Sequence, residues 1–484
     1  MRYLATLASL RAYVPKVIGK ARWAVGLTLA VLGALGTFLG VPDLNEQMRT
    51  ELPGLRCWAP APMDDTKFTL AMSPFVVVNE AGRVKVDNDG YELARLLFTR
   101  LDAAFEEIDL TLPHELRGPD QTCAVRGSDP AARTHAAAQL AETLNTDVVI
   151  YGAIVMEEGR ARLYPEFYVA YKGFEQAGEL VGPHDLGRPL RVELPVEMRD
   201  IKALPDHPLN ARARALSYIA MGLAAYAVDD MAQAETYFLE AEATPNWAES
   251  AGKELIYLFL GNTASNLAAN TLDNTYVDEA IGYYDRALEL APDFARALVG
   301  RANAVYQQAL GDLQTRKASE VDGELLHSAE EMYRHALSVP APDEAEIPLK
   351  VHFGLGNVFL VRHYLFGESW LDQARAEYQA ILDLYDAGGV RNVDLVGHAY
   401  ARLGLIAAQI DQDVDAAIPL YETAIDLVTP RWQSYYHIDL GDLYAAHEDS
   451  DEARFHYEEA LSIAELYGRS DMLTRAEERL AKLP

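Results

Sequence analysis

The chain has 484 residues, too many for one hydrophobic core and enough for two or three domains. Half of them are hydrophobic, which excludes a chain disordered throughout. The formal net charge of −31 argues against nucleic acid as a partner, because phosphate binding needs clustered Lys and Arg.

That charge is unevenly placed. Up to Val41 there are five basic residues (Arg2, Arg11, Lys16, Lys20 and Arg22) and no acid. Trp23 to Val41 is then a run of 19 residues without a charge. As a helix it would be about 28 Å long, close to the thickness of a hydrocarbon core. With Trp23 at the interface and Pro42-Asp43 at the exit, residues 23–41 read as a transmembrane signal-anchor helix. The positive-inside rule then puts the basic tail 1–22 in the cytoplasm and all that follows Asp43 outside it, as in a single-pass membrane protein. A cleaved signal peptide is the alternative, opposed by the length of the run and by the lack of a small-x-small site before Asp43. Residues 42–66, with Pro53, Pro60 and Pro62, read as an extended linker.

Residues 67–200 form a small α/β domain. Phe68 to Val78 is apolar, ends in β-branched residues and reads as a strand. Leu93, Leu96, Leu97, Leu101 and Phe105 make one stripe of a helix over 91–105, and the alanine-rich stretch 131–144 is a second helix. Asp147 to Met156 and Arg160 to Ala170 are strands joined by the turn Glu157-Glu158-Gly159, and 190–196 is a last strand. The expected order is β-α-α-β-β-β. That order, with the segment Thr146 to Gly152 followed by a paired strand, resembles TolB amino-terminal-like domains. The resemblance covers about residues 68–170, implies an interaction module and brings no catalytic residues. Cys57 and Cys123, the only two cysteines, are too few for a zinc site. If oxidised together they would close a loop of about 65 residues and contribute ~4 kcal/mol; two unpaired thiols are the other reading.

From about Ala211 the chain is helix after helix, and one frame organises it. In Asp278 to Phe294, Ala280, Tyr284 and Ala287 share a helix face that Pro292 terminates. Small–aromatic–small on one face implies a second helix packed closely there. The clearest unit is Tyr435 to Leu461, in which Leu440-Gly441 and Tyr444 are followed by Ala453, Tyr457 and Ala460. This unit resembles the tetratricopeptide repeat (TPR), with Leu-Gly on helix A and Ala-x3-Tyr-x2-Ala on helix B. The same frame appears at Met221-Gly222 with Phe238, Leu260-Gly261 with Tyr284, Leu298 and Ala302 with Tyr333, Leu355-Gly356 with Tyr378, and Leu403-Gly404 with Tyr421. The fold class is therefore mainly α: a TPR α-solenoid of about six hairpins over 211–468, with a capping helix over 469–484, preceded by the α/β domain and the transmembrane helix. The second, third and fourth units exceed the usual period between helix A and helix B, by longer helices or by loops on one edge.

No catalytic constellation is present: there is no phosphate loop, His-Glu-x-x-His or Gly-x-Ser-x-Gly. The reading is not an enzyme, without cofactor or metal. Asp87-Asn88-Asp89-Gly90 lacks calcium-loop ligands at the outer positions and reads as a turn capping the next helix. His352, His398 and His437 recur in helix A, where lining or solvated histidines outweigh a metal ladder. In the TPR family the residue after Leu-Gly points to the concave side; here it is Asn262, Asn303, Asn357, Leu405 and Asp442. The resemblance implies a peptide-binding groove in which an amide row holds an extended backbone, with Arg296 and Arg301 placed to meet a carboxylate. A purely structural use of the same asparagines is the alternative. The expected function is a membrane-anchored scaffold or adaptor binding a protein or peptide. A sensory or regulatory subunit, whose α/β domain binds a small ligand and whose array relays the signal, is the second reading.

Overall fold

The structure is a computed structural model that describes residues 61–107, 112–172, 174, 178, 180–195, 208–245, 247–248, 252–312, 315, 317–367 and 370–483. The stretch 23–41 and Cys57 lie outside these residues. No helix among the described residues is long and apolar enough to cross a membrane. The single-pass membrane placement is corrected accordingly and is not carried further.

The α/β domain holds β1 (Phe68–Met72), β2 (Val76–Val78), β3 (Val84–Lys85), helix α1 (Asn88–Glu107), β4 (His114–Arg117), helix α2 (Pro130–Leu144), β5 (Val148–Glu157), β6 (Arg160–Val169), β7 (Gly182–Asp185) and β8 (Leu190–Val192). The long strand β5 is its spine. β1 and β2 lie end to end, both parallel to β5, with Leu70 opposite Val148 and Val76 opposite Ala153. The single strand expected over 68–78 is thus two, because Pro74 has no N–H for the ladder. The neighbouring Ser73 hydroxyl instead donates to the Pro74 carbonyl and accepts from Val125 N. On its other edge β5 pairs antiparallel with β6 over ten positions, closed by Glu158 and Gly159 at positive φ. β4 adds to β1, β3 to β2, and β7 and β8 to β6, so the domain has more short strands than the sequence implied. The last strand ends at Val192. Residues 61–64 are not free linker either: Met63 is buried against Ala71 and Leu144, and its N–H bonds to Leu144 O. Asp87 accepts from Gly90 N at the start of α1, the capping turn read from the sequence.

α2 covers one sheet face, with Ala137 and Ala141 on Val149, Tyr151 and Tyr168. On that side Arg133 donates twice to Glu166, both contacts at 2.6 Å and both residues buried. α1 covers the other face, where Leu93, Leu97 and Leu101 join Phe68, Leu70 and Ile150 in a core that continues without a break into the helical array.

The array comprises α3 (Pro208–Ala227) with α4 (Met231–Glu242), α5 (Glu254–Thr271) with α6 (Asn274–Leu290), α7 (Ala295–Ala309) with α8 (Gly323–Ser338), α9 (Ile347–Phe366) with α10 (Leu371–Asp386), α11 (Val393–Gln409) with α12 (Val414–Leu427), α13 (Pro430–Ala446) with α14 (Ser450–Leu466), and the end helix α15 (Ser470–Leu480). The extra residues of the second unit become helix, leaving only Leu272 and Asp273 between α5 and α6. In the third they become a connection containing a short 3-10 turn at Ala318–Glu320. The small–aromatic–small frame explains the hairpins. A Cβ on Gly222, Gly261, Gly356, Gly404 or Gly441 would stand 2.4–2.9 Å from the ring of Phe238, Tyr284, Tyr378, Tyr421 or Tyr457. The absent side chain is what lets each ring lie across the helix crossing.

Candidate functional site

The first helices of the hairpins turn one face inward, and that face lines a cavity of about 320 Å³. Asn262 and Ser265 of α5, Asn303 of α7, Leu395 and His398 of α11 and Trp432 of α13 all reach it, and Gly178 of the α/β domain borders it. The α/β domain enters this space on one side. Arg296 is buried, donates to Val181 O at 2.8 Å and lies 3.0 Å from His184 Nε2. Lys350 Nζ donates to Gly178 O at 3.0 Å. Burial, and then the Arg296 charge, hold His184 well below the usual histidine range, so it is neutral.

The amide row does two jobs. Tyr284 donates to Asn262 Oδ1 at 2.7 Å, Tyr333 to Asn303 Oδ1 at 2.5 Å and Tyr378 to Asn357 Oδ1 at 2.9 Å. Each ring that crosses the glycine or alanine thus reaches the very next residue. The amide oxygens are spent on holding the hairpins, so only the amide N–H groups remain for a ligand. Asn262 Nδ2 is buried and has no hydrogen-bond partner. Asp442 accepts from Tyr457 at 2.7 Å and from Arg479 Nε at 2.6 Å, which ties α15 to the sixth hairpin.

Of the predicted residues, the structure gathers Asn262, Asn303 and Arg296 at the cavity. Asn357 and Asp442 sit farther along the same inner face, with their oxygens engaged by tyrosines. Arg301 turns to Asp285 and to Met332 Sδ, and Arg296 to the α/β domain, so neither stands ready for a ligand carboxylate in the way the sequence suggested. The three helix-A histidines have separate partners: His352 contacts Glu377, His398 contacts Tyr436 and His437 contacts His456. Among the described residues no group of three or more His, Cys, Asp and Glu is placed to hold a metal ion. Cys123 is disulfide-bonded. Its pairing with Cys57, which is not among the described residues, stands as a proposal.

Of the histidines read as lining or solvated, His398 does line the cavity, whereas the sequence reading missed Trp432. His398 Nδ1 is 2.5 Å from Tyr436 Oη, and its ring meets Trp432 edge-on at 5.3 Å. Burial, helped by the Arg402 charge, lowers the His398 pKa to about 4. The signal for Trp432 was available in outline, since it lies on helix A about two turns before Leu440-Gly441.

Residues 395–465 match the tetratricopeptide repeat family. That span takes in most of α11 and reaches α14, and the hairpins before it repeat the same glycine–aromatic contact, with Ala302 standing for glycine in the third. The match does not reach the α/β domain, and the TolB-like resemblance gains no support. Among solved structures, the chain is similar to the APC/C hetero-tetramer Cut9-Hcn1, at 18% identity and a TM-score of 0.40, covering 59% of this chain and 45% of that one. It is similar also to a tetratricopeptide repeat protein from Parabacteroides merdae (14% identity, 58% of this chain, 89% of that chain, TM-score 0.37). A third is pilF of Pseudomonas aeruginosa (15% identity, 55% and 98% covered, TM-score 0.34). No curated protein matches the chain.

Proposed function

We propose that the chain is a scaffold that holds an extended segment of a partner protein or peptide against the inner face of its repeats, in the cavity between α5, α7, α11 and α13. Repeat arrays of this kind use their inner face for extended binding surfaces. One observation carries the reading: the buried Asn262 Nδ2 has no partner and borders that cavity, beside Asn303. A buried donor without an acceptor is destabilising by about 1–3 kcal/mol, which a ligand carbonyl would relieve. Peptide carbonyls recur along any extended chain, so amide donors here grip a backbone irrespective of its sequence.

Photo-crosslinking tests this. p-Benzoylphenylalanine placed at Trp432, inside the cavity, should form adducts with a partner polypeptide. The same probe at Glu279, exposed on α6, should form none. Asn262→Ala should lower the Trp432 adduct yield. Equal adducts at both positions, or none at Trp432, would overturn the reading.

A further inference from the structure

The array already holds a piece of its own chain. The stretch leading into β7 crosses the inner face from the third hairpin to the fifth. Arg296 of α7 donates to Val181 O at 2.8 Å, and Lys350 of α9 donates to Gly178 O at 3.0 Å. Asn392, the N-cap of α11, spends its Oδ1 on Leu395 N and turns Nδ2 to Gly178, 2.9 Å from where a Cβ would stand. That is the arrangement found at Asn262, with the amide oxygen engaged inside the array and Nδ2 facing the cavity. The residue at each close approach is glycine. At Gly182 a Cβ would lie 2.8 Å from Glu344 Cβ and 2.9 Å from Arg296 Nη2, at a φ of +104°. The hold is thus on main-chain carbonyls and on the absence of side chains, the same sequence-blind grip proposed for a partner.

The two ends of this stretch differ. Leu180 and Val181 are buried in the core shared with Phe259 of α5 and Ala297 of α7, beside the buried Arg296. Gly178 is instead part of the cavity wall, together with Lys350, Asn392, Asn262 and Asn303. Lys350 also donates to Ala345 O at 2.8 Å, so its ammonium stays anchored to the array whatever carbonyl lies opposite. A backbone entering the cavity therefore meets donors that Gly178 already uses.

We propose that this stretch is an internal ligand of the array: Gly178 O holds on Lys350 a place that the partner's backbone takes on entry, so the α/β domain and the partner compete. The inference rests on the groove binding proposed above and adds its regulation. The array's apparent affinity for a backbone scales with the share of molecules in which Gly178 is displaced. Loosening Gly178 then strengthens binding without altering any residue of the array. If Gly178 instead formed one wall of the partner's site, a side chain there would weaken binding, so the sign of the effect decides.

The test is retention of acetylated, amidated random hexapeptides by the full chain, quantified by mass spectrometry. Gly178→Val crowds Asn392 and should raise retention about fivefold, the factor for one competing hydrogen bond removed. Gly182→Ala strains a left-handed backbone and presses on Glu344, at a position that does not line the cavity, and should raise retention as well. Gly178→Cys combined with Asn392→Cys allows a disulfide that locks the stretch in place. Oxidised, that chain should retain less peptide than when reduced, with the unaltered chain under the same reductant as the reference. Far-UV circular dichroism identifies which variants are folded. Retention that stays the same or falls in either folded glycine variant, or that is equal in the locked and unlocked forms, overturns the proposal. If peptide retention and the Trp432 photo-adducts are present but unaltered by these changes, the competition fails while groove binding stands. If neither is seen in any of the chains, groove binding itself fails, and the competition with it.

Discussion

Substituting alanine for glycine at two places on adjacent helices should change stability in opposite directions. Tyr284 is clasped from both sides: a Cβ on Gly261 of α5 would lie 2.6 Å from its Cε1, and one on Gly300 of α7 2.5 Å from its Cε1 and Cζ. Its hydroxyl is also held by Asn262 at 2.7 Å, and the side chain is 2% exposed. To accept a methyl on Gly261 the ring must retreat by several tenths of an ångström towards Gly300, whose backbone is already in contact, and must stretch its bond to Asn262. Overpacking of this kind costs about 1–3 kcal/mol, and the strained hydrogen bond adds about 1 kcal/mol. Helix propensity returns about 1 kcal/mol for Gly→Ala. The expected net loss for Gly261→Ala is about 2 kcal/mol. Gly282 lies in α6 with nothing within 4 Å of its would-be Cβ, so there the propensity term acts alone. Gly282→Ala should therefore gain about 0.8–1 kcal/mol. Urea unfolding of the full chain followed by far-UV circular dichroism reads both as midpoint shifts. A Gly261→Ala chain as stable as the Gly282→Ala chain would refute the view that the glycine–tyrosine crossing holds the hairpins together.

Other expectations follow from single contacts. Tyr378→Phe removes the donor to Asn357 Oδ1 from a fully buried ring and should lower stability by about 1 kcal/mol, read in the same urea assay. Glu166→Gln leaves the buried Arg133 charge uncompensated and should cost about 3–5 kcal/mol, whereas exchanging Arg133 and Glu166 together for Met and Leu should recover most of it. His437 and His456 lie 3.0 Å apart at Nδ1, and burial lowers both; for His437 the pKa falls to about 4. The unfolded chain thus binds the proton more readily, so their contribution is complete above the ordinary histidine pKa and is lost as pH falls towards 4. At pH 5 the loss from His437 is about 2 kcal/mol. Melting between pH 7 and 5 should show a slope that His437→Asn reduces. Cys57 and Cys123, if paired, close a loop of about 65 residues, so the oxidised chain should run faster than the reduced one on a denaturing gel. Identical mobility would exclude the pairing.

The array was legible because its information is local. A glycine, an aromatic residue and two alanines at fixed offsets describe one hairpin, and a hairpin is what the next one packs on. What the same residues do to each other is less visible. Asn262, Asn303 and Asn357 read as a row of ligand contacts, and the structure spends half of each amide on a tyrosine from the partner helix. Arg296 and Arg301 carried the right charge for a carboxylate, but their partners are set by tertiary packing. Arg296 meets Val181, 115 positions earlier in the chain, and no pattern around either residue announces it. In the α/β domain the strong signals held: the stripe of α1, the alanines of α2 and the β5–β6 turn. The misses were β4, with sequence HELR, and β7, with GPHD, whose polar residues form strands only because an apolar neighbour offers a ladder. Pro74 was the readable sign of a divided first strand, and the apolar run around it masked that sign.

The net charge illustrates how a total can mislead about a site. An excess of acid suggests a cationic ligand, yet much of that acid has a structural task. Asp129, Asp230, Asp273, Asp322, Asp413 and Asp449 each accept from a backbone N–H at a helix start, and five of the six open the second helix of a hairpin. Such carboxylates are held at the edges where hairpins turn, satisfying N–H groups that a helix cannot pair itself and complementing the helix dipole. Inside the channel the balance differs. Lys350 and Arg296 fasten the α/β domain there. Two cations used inside an otherwise acidic protein say more about how its parts hold together than the sum of charges, because only groups in contact contribute short-range, desolvated interactions. Raising the salt concentration should therefore weaken any long-range attraction of cations to the outer surface well before it loosens the buried contact of Arg296 with Val181 O.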